Sequence, residues 1–476
     1  MNKLKLFIEN FLVYGLGGII SKIIPFVMIP IITRLMPSTD YFGISDLSNT
    51  VVQFGSAFAI MGMYDAMYRM FFEKEEITFQ KRVCSTALVF TFCTSLVIFL
   101  VMVLLRETIA TYFFSDAKYA YVVYLSAMAT LVGGTNAIIA APTRMQNKRK
   151  VFLVANTAGP LISYAVAVPL LLAGYYVIAL PLAGVVSGLT VEIAFGILNR
   201  SWFDVTKFDK ALLKEMLMIA IPLLPNFLIY WVFDSCNKVM ITNMIGIGAA
   251  GVYSVGSKLG HASQLIYTAF AGGWQYFAFS TMKEEKQVQN NSLVFEYLGV
   301  ISFVATTFAC AWSYELFHLL FTKEYWPGYI IAPYLFLAPL LLMLFQVASN
   351  QFLVIKRTWP CMLNLSVGAI VNIVLNQWLI PLIGIEGAAI DTLLGYVVTD
   401  VLLVLVLLKI KLIVVSRRFE FVAFMMLVYF LVWRLLIPAN IVAGTAMAVA
   451  FMVICLLLYR EEVGMIAGKV KARAKK

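Results

Sequence analysis

The chain has 476 residues, of which 62% are hydrophobic and only 13% charged, and its mean hydropathy is +0.89. Those values exclude a row of soluble domains and describe a polytopic membrane protein. A net charge of +11 would suggest nucleic acid for a soluble protein, but in a membrane chain its meaning depends on which loops carry it.

Apolar runs bounded by charge or turn signals predict about fourteen membrane helices, each long enough to cross the bilayer at about 20 residues. They run over 7–33, 41–70, 83–105, 119–141, 151–173, 176–199 and 214–236, then 250–280, 292–321, 327–354, 360–382, 385–409, 419–436 and 439–459. Gly174 and Gly384 mark the two weakest splits. The basic start Met1-Asn2-Lys3-Leu4-Lys5 resembles a signal peptide, yet the apolar run continues without a small-residue cleavage site, so the segment is expected to stay as the first span. The six cysteines are scattered and mostly lie in apolar runs, which predicts neither a disulfide nor a metal site.

With the N-terminus in the cytoplasm, 28 of the 36 Lys and Arg residues fall on the cytoplasmic side and six on the other, leaving Lys22 and Lys258 within spans. That asymmetry places both termini inside the cell and turns a basic face toward anionic lipid headgroups, with no nucleic-acid partner. The fold class expected is an all-α integral membrane protein of two six-helix bundles plus two further helices, divided at 1–200, 201–411 and 412–476. Spans one to six and seven to twelve repeat one hydropathy pattern. A shift of 208 residues lays Gly43 on Gly251, Lys148 and Arg149 on Lys356 and Arg357, and Asn156 on Asn364. The first helix of each half also carries two prolines, Pro25 with Pro30 and Pro222 with Pro225, and interrupted helices in matching positions point to a transporter's substrate path.

Lys22 lies about 16 Å inside the first span, too deep for easy snorkelling, and a charge there costs at least about 2.5 kcal/mol unless it faces a wet cavity or a partner. It is a candidate anion contact, with a structural ion pair as the alternative. Lys258 lies nearer a surface, where its stem can also reach headgroups. Among the acids within spans are Asp65, Glu192, Asp234, Glu296, Asp391 and Asp400. The i, i+4 spacing of Asp65 with Arg69, and of Asp234 with Lys238, suits structural pairs. Glu296 stands near a helix end, where solvation accounts for it. Asp400 is near mid-bilayer with no local partner, which suits either proton coupling or a neutral hydrogen-bonded acid. Asp391, Asp65 and Asp234 complete the candidate coupling set. Gln53, Asn136, Asn156, Gln264, Asn364, Asn372 and Asn376 are polar enough to line a cavity for sugar hydroxyls, or to bond helix to helix.

Signs of an enzyme are poor. Gly251-Val-Tyr-Ser-Val-Gly256-Ser257-Lys258 falls short of a phosphate-binding loop, with Lys and Ser in the wrong order at the start of a membrane helix. His261 and His318 are the only histidines and lie far apart.

The segments Ser21-Lys22, Ile29-Pro30-Ile31-Ile32-Thr33-Arg34-Leu35, Tyr41-Phe42-Gly43, Ala66 to Arg69, Asp234 to Lys238, and Gly251 to Leu259 give the chain a likeness. It resembles the polysaccharide, or Wzx-like, flippases of the multidrug/oligosaccharidyl-lipid/polysaccharide (MOP) exporter superfamily. The resemblance covers essentially the whole chain. It implies two six-helix bundles in a V, alternating access, a cationic central cavity, and transport of an undecaprenyl-pyrophosphate-linked oligosaccharide from the inner to the outer leaflet of the cytoplasmic membrane. Lys22 and Lys258 would then hold the pyrophosphate, Gln53 and Asn364 would line the cavity for the sugars, and Arg34 and Arg69 complete the candidate substrate-binding set. The substrate and the anionic membrane lipids are the partners expected, with a polysaccharide polymerase and other assembly proteins as further candidates. No cofactor is expected beyond a coupling H⁺ or Na⁺.

A multi-sugar pyrophosphate cannot cross hydrocarbon unaided, because each unpaired hydroxyl costs several kcal/mol there and a charge far more. A polar path is required, while the polyprenyl tail can stay in lipid. Export of an anion from a negative-inside cell also gains about 2.3 kcal/mol per charge per 100 mV, so coupling acids are not obligatory. Other readings are a multidrug cation exporter with an acidic, aromatic cavity, a lipid-linked peptidoglycan precursor flippase, whose arginine cluster has no mid-span counterpart here, and a membrane glycosyltransferase or polymerase.

Overall fold

The computed structural model describes residues 23–268, 270, 274, 278, 285–355, 357, 359–437, 439–462 and 464, with the backbone alone at 149 and 156. Among them every regular element is a helix, and eleven helices are long and apolar enough to cross a membrane. The other three expected spans differ in kind. The first is described only as Ile23–Leu35, the second is broken, and the eighth is described as Ile247–Gly260 with a 3-10 turn at His261–Ser263, much of its expected end to 280 lying outside the described residues. Large aliphatic side chains such as Leu104, Leu382 and Leu436 stand more than 70% uncovered by protein, a surface that only lipid can satisfy.

The described residues fall into two compact units, one reaching Val255 and including Asn372–Ala388, the other holding Gly256–Val371 and the chain from Ala389 onward. In the first unit the second span is two helices, Thr39–Ile60 and Met63–Phe71, where a single helix over 41–70 was expected. Ser38 starts it, accepting the Asp40 N–H at 3.2 Å, and left-handed Met61 and Gly62 break it. Gly62 has φ +73°, and a Cβ there would stand 2.5 Å from the Ala220 carbonyl oxygen, so backbone packing as well as backbone conformation demands glycine. Around this break Met63, Met67, Val83, Ile138, Leu212 and Met216 form one buried cluster.

The third span begins at Ile77, ahead of the expected 83, because Lys81 and Arg82 ride on its first turns and do not end it. Arg82 there pairs with Asp209 at 3.1 Å, and Asp209 caps the distant helix Lys210–Ala220 by accepting from Ala211 and Leu212 N–H. The connection after this span carries a short helix, Arg106–Phe114, that hydropathy alone did not reveal. The seventh span, expected over 214–236, extends from Lys210 to Met244 and changes pitch repeatedly. Lys210–Ala220 is followed by a 3-10 turn at Ile221–Leu223, then Leu224–Trp231, a π turn over Val232–Cys236, and Asn237–Met244. Pro222 and Pro225 account for the first change, since neither can donate to the helical ladder.

In the second unit Ile331–Val354 is the central helix, with 18 of its 24 residues buried. The 34-residue helix Gln287–Leu320 packs against it and against the last two helices, Arg417–Leu436 and Ile441–Leu458. Glu296, expected to be solvated, is buried in this packing. One carboxylate oxygen accepts the Ser416 N–H at 2.6 Å, the other accepts the Ser416 hydroxyl at 2.8 Å and the Tyr459 hydroxyl at 3.4 Å. It thereby holds the start of Arg417–Leu436, whose first turn has donors to satisfy. Replacing Glu296 with Ala is expected to lower stability by about 2 kcal/mol through the orphaned Ser416 donors, read as a shift in a chemical denaturation midpoint. An unchanged midpoint would show that the two C-terminal helices are held by apolar packing alone.

Candidate functional site

The site is built from interrupted helices of the first unit. Thr39–Ile60 and Ile247–Gly260 cross so closely that a Cβ on Gly43 would lie 2.4 Å from the Ile247 carbonyl oxygen, and one on Gly251 only 2.1 Å from that of Thr39. Each glycine's Cβ position is 3.1 Å from the other's backbone nitrogen. These two positions are the pair that the 208-residue shift lays on each other.

One turn along, the Lys238 ammonium meets the Asp46 carboxylate at 2.7 Å, with side chains only 14% and 4% exposed. This replaces the expected Asp234–Lys238 pair. A π turn takes up an extra residue per turn, so the i, i+4 spacing that would align the two on an α-helix no longer does. Asp65 and Arg69 do not pair either. Both stand exposed on Met63–Phe71, where solvation competes with a surface ion pair. Asn237, the neighbour of Lys238, is fully buried. Its amide nitrogen donates to the Tyr253 hydroxyl at 3.1 Å and the Ala388 carbonyl at 2.9 Å, and its oxygen accepts from Asn376 at 2.8 Å. Near the end of the seventh span Asn243 donates to the Tyr112 carbonyl at 2.9 Å and accepts from the Ser115 hydroxyl at 2.9 Å.

Between Thr39–Ile60 and the π turn lies a cavity of about 310 Å³ lined by Gln53, Ser56, Phe227, Tyr230, Trp231 and Asp234, with Gly62 at its edge. The Trp231 indole N–H donates to the Thr50 carbonyl at 3.2 Å and its ring packs 4.9 Å from Phe54. The Ser235 hydroxyl donates to Gln53 Oε1 at 3.2 Å, and Gln53 shares the cavity lining with the exposed Asp234. Flat aromatic faces, one amide and one carboxylate thus share a pocket at the point where two helices lose their regular pitch, the usual setting of a polar site within a membrane.

Of the expected site residues, the structure brings Gln53 and Asp234 together here. Lys22 lies outside the described residues. Arg34 ends Ile23–Leu35 and is exposed, as are Arg69 and Asp65. Lys258 is partly buried at the end of Ile247–Gly260, in the second unit, which also holds the buried Asn364, Asp391 and Asp400. Among the described residues no three His, Cys, Asp or Glu side chains gather as a metal site. Sequence reading missed Asp46. Its one signal is a carboxylate early in a span, in the small polar run Gly43-Ile44-Ser45-Asp46-Leu47-Ser48, and its partner sits on a distant span.

Comparison with solved structures finds the fold of the MOP transporters. A lipid II flippase MurJ in an inward-closed conformation matches with a TM-score of 0.68 at 14% identity, over 95% of this chain and 100% of that one. An inward-facing multidrug resistance MATE family transporter of the MOP superfamily matches at 0.60 and 13% identity, over 83% and 98%. An outward-facing one matches at 0.60 and 11%, over 85% and 95%. A search of the curated proteins finds no match. The family model described as "polysaccharide biosynthesis protein" matches residues 31–329, well over half of the chain, and the protein therefore belongs to that family, as a multi-pass membrane protein with the fold of the MOP flippases and exporters.

Proposed function

We propose that the chain is a flippase that moves an undecaprenyl-pyrophosphate-linked oligosaccharide repeat unit from the inner to the outer leaflet of the cytoplasmic membrane, for cell-surface polysaccharide biosynthesis. The observation that carries this reading is the Gln53–Asp234 cavity in a member of a polysaccharide family. Sugars offer hydroxyl donors to the carboxylate and amide, and C–H faces to Trp231, Tyr230 and Phe227. Lys22, Lys258, Arg34 and Arg69 supply the positive charge a pyrophosphate needs, and Asn364 a further hydroxyl contact. Both termini face the cytoplasm by the charge asymmetry of the loops, so the Gly43–Gly251 crossing and the Lys238–Asp46 pair close the outer end, and alternating access requires them to part. H⁺ or Na⁺ coupling would fall to Asp400, Asp391, Asp65 or Asp234. A polymerase and other assembly proteins are the partners that would receive the exported unit.

One observation favours a second reading. A lone carboxylate among three aromatic rings also suits an organic cation, as in multidrug export. Transport of a labelled polyprenyl-pyrophosphate oligosaccharide in proteoliposomes separates the two. The parent is expected to move it, and Asp234→Asn, which keeps the hydrogen-bonding oxygen and loses the charge, to retain at least about a third of that rate. Movement of an aromatic cation but not of the lipid-linked sugar, abolished by Asp234→Asn, would replace the flippase reading with the exporter.

A further inference from the structure

Helices Gln287–Leu320 and Ile441–Leu458 leave two adjoining hollows on the second unit. One, of about 520 Å³, is apolar, walled by Val300, Ile301 and Val304 on the first helix and Met452, Cys455 and Leu456 on the other. The other, of about 380 Å³, is polar and holds Glu296, Ser416, Arg418 and Glu462. Tyr297, Tyr459 and Glu462 line both, so the hollows meet at the two tyrosines, whose rings lie edge to face 6.1 Å apart.

The polar hollow is chemically incomplete. Glu296 is taken up by Ser416 and Tyr459. Arg418 donates from one nitrogen, to the Leu458 carbonyl at 3.1 Å and to Glu462 Oε1 at 3.3 Å, which leaves the rest of its fork of donors unengaged among the described residues. The second carboxylate oxygen of Glu462 is buried and accepts no hydrogen bond among the described residues. A buried carboxylate oxygen calls for a donor, and an open guanidinium edge for an acceptor such as phosphate. Beyond them the groove runs about 12 Å along the helix from Tyr297 to Ala305, with almost no polar wall.

A donor for Glu462, an acceptor for the Arg418 beside it and an alkyl chain for the adjoining groove together describe one class of molecule. We propose that the two hollows together bind a zwitterionic phospholipid with a primary ammonium headgroup, its ammonium on Glu462, its phosphate on Arg418 and an acyl chain in the groove between the two helices. The two carboxylates of the polar hollow disfavour a lipid of purely anionic headgroup, and a quaternary ammonium has no N–H to give Glu462. The location fits. Arg417 and Arg418, with Lys409 and Lys411 just before them, mark a membrane boundary, where headgroups lie. Such a lipid would bridge the last two helices to Gln287–Leu320, and this assignment stands apart from the transport reading.

Native mass spectrometry of the full chain with equimolar phosphatidylethanolamine, phosphatidylcholine and phosphatidylglycerol of one acyl composition tests it. The ethanolamine lipid is expected to be retained about tenfold over either competitor, and Glu462→Gln to bring ethanolamine and choline lipids to near parity. Ile301→Trp, which fills the groove, should lower retention of the ethanolamine lipid while leaving the headgroup contacts in place. Equal retention of ethanolamine and choline lipids by the parent, a preference for the glycerol lipid, or a preference that survives Glu462→Gln would overturn the proposal. If Glu462→Gln does not fold, the parent with the mono-, di- and trimethylated ethanolamine lipids replaces it. Stepwise loss of retention with each lost N–H is the expected result, and a flat series sinks the idea.

Discussion

Replacing Lys238 with Ala should lower stability by about 3 kcal/mol, because it takes the facing ammonium away from an Asp46 carboxylate that protein covers all but 4% of. The Coulomb energy of the pair is not the source of that figure. A buried pair roughly offsets its own desolvation, and the loss comes from taking the ammonium away from a buried carboxylate that it faced. The double variant Asp46→Asn, Lys238→Met removes both charges and keeps much of the volume, so it should regain most of the stability. Lys118→Ala provides the contrast. Lys118 bonds Asp116 at 2.8 Å, yet both side chains are widely exposed, at 64% and 42%, and water competes so well with an exposed pair that its loss should barely move the midpoint. Denaturation midpoints of the four proteins decide the matter: a Lys238→Ala loss no larger than that of Lys118→Ala would show that water reaches Asp46 and that the pair is ordinary surface. If Asp46 and Lys238 close the outer end, as the flippase reading holds, the neutral double variant should also open that end more often, seen as faster labelling of a cysteine placed at Gln53.

The helices were legible because a run of about 20 apolar residues has few alternatives in a membrane chain, and the proline interruption of the seventh span was legible because Pro222 and Pro225 act through their own covalent structure. What local sequence does not state is which residues of other spans a side chain meets. The run through Met61 and Gly62 is continuous in hydropathy, and its break depends on the close approach of the Ala220 carbonyl. Lys238 looks like a partner for Asp234 until a π turn shifts it toward Asp46. Glu296 near a helix end reads as solvated until Ser416 and Tyr459 are brought to it. The candidate site follows the same rule. Gln53 and Asp234 were each recognisable as polar residues within spans, but the aromatic wall they share arises from the pairing of two irregular helices.

The second large effect is expected at Gly251. A methyl group there would stand 2.1 Å from the Thr39 carbonyl oxygen and 3.1 Å from the Gly43 nitrogen, both backbone atoms that cannot rotate away as a side chain would. One of the helices Thr39–Ile60 and Ile247–Gly260 must therefore move outward, and overpacking of this kind costs about 1 to 3 kcal/mol. Because the strain exists only while the helices are crossed, Gly251→Ala should act on the closed outer end selectively. A penalty of about 2 kcal/mol on one of two alternating states shifts their ratio about thirtyfold, which predicts a transport rate lowered by about tenfold or more with helix content unchanged. Gly196→Ala is the control. It lies within the helix Ala179–Asn199 with no other heavy atom within 4 Å of the new methyl, so it should leave transport intact and favour the helix by up to about 1 kcal/mol. Equal transport by the two variants would mean that the Gly43–Gly251 contact does not take part in the cycle, and the outer closure would then have to be sought elsewhere on the seventh span.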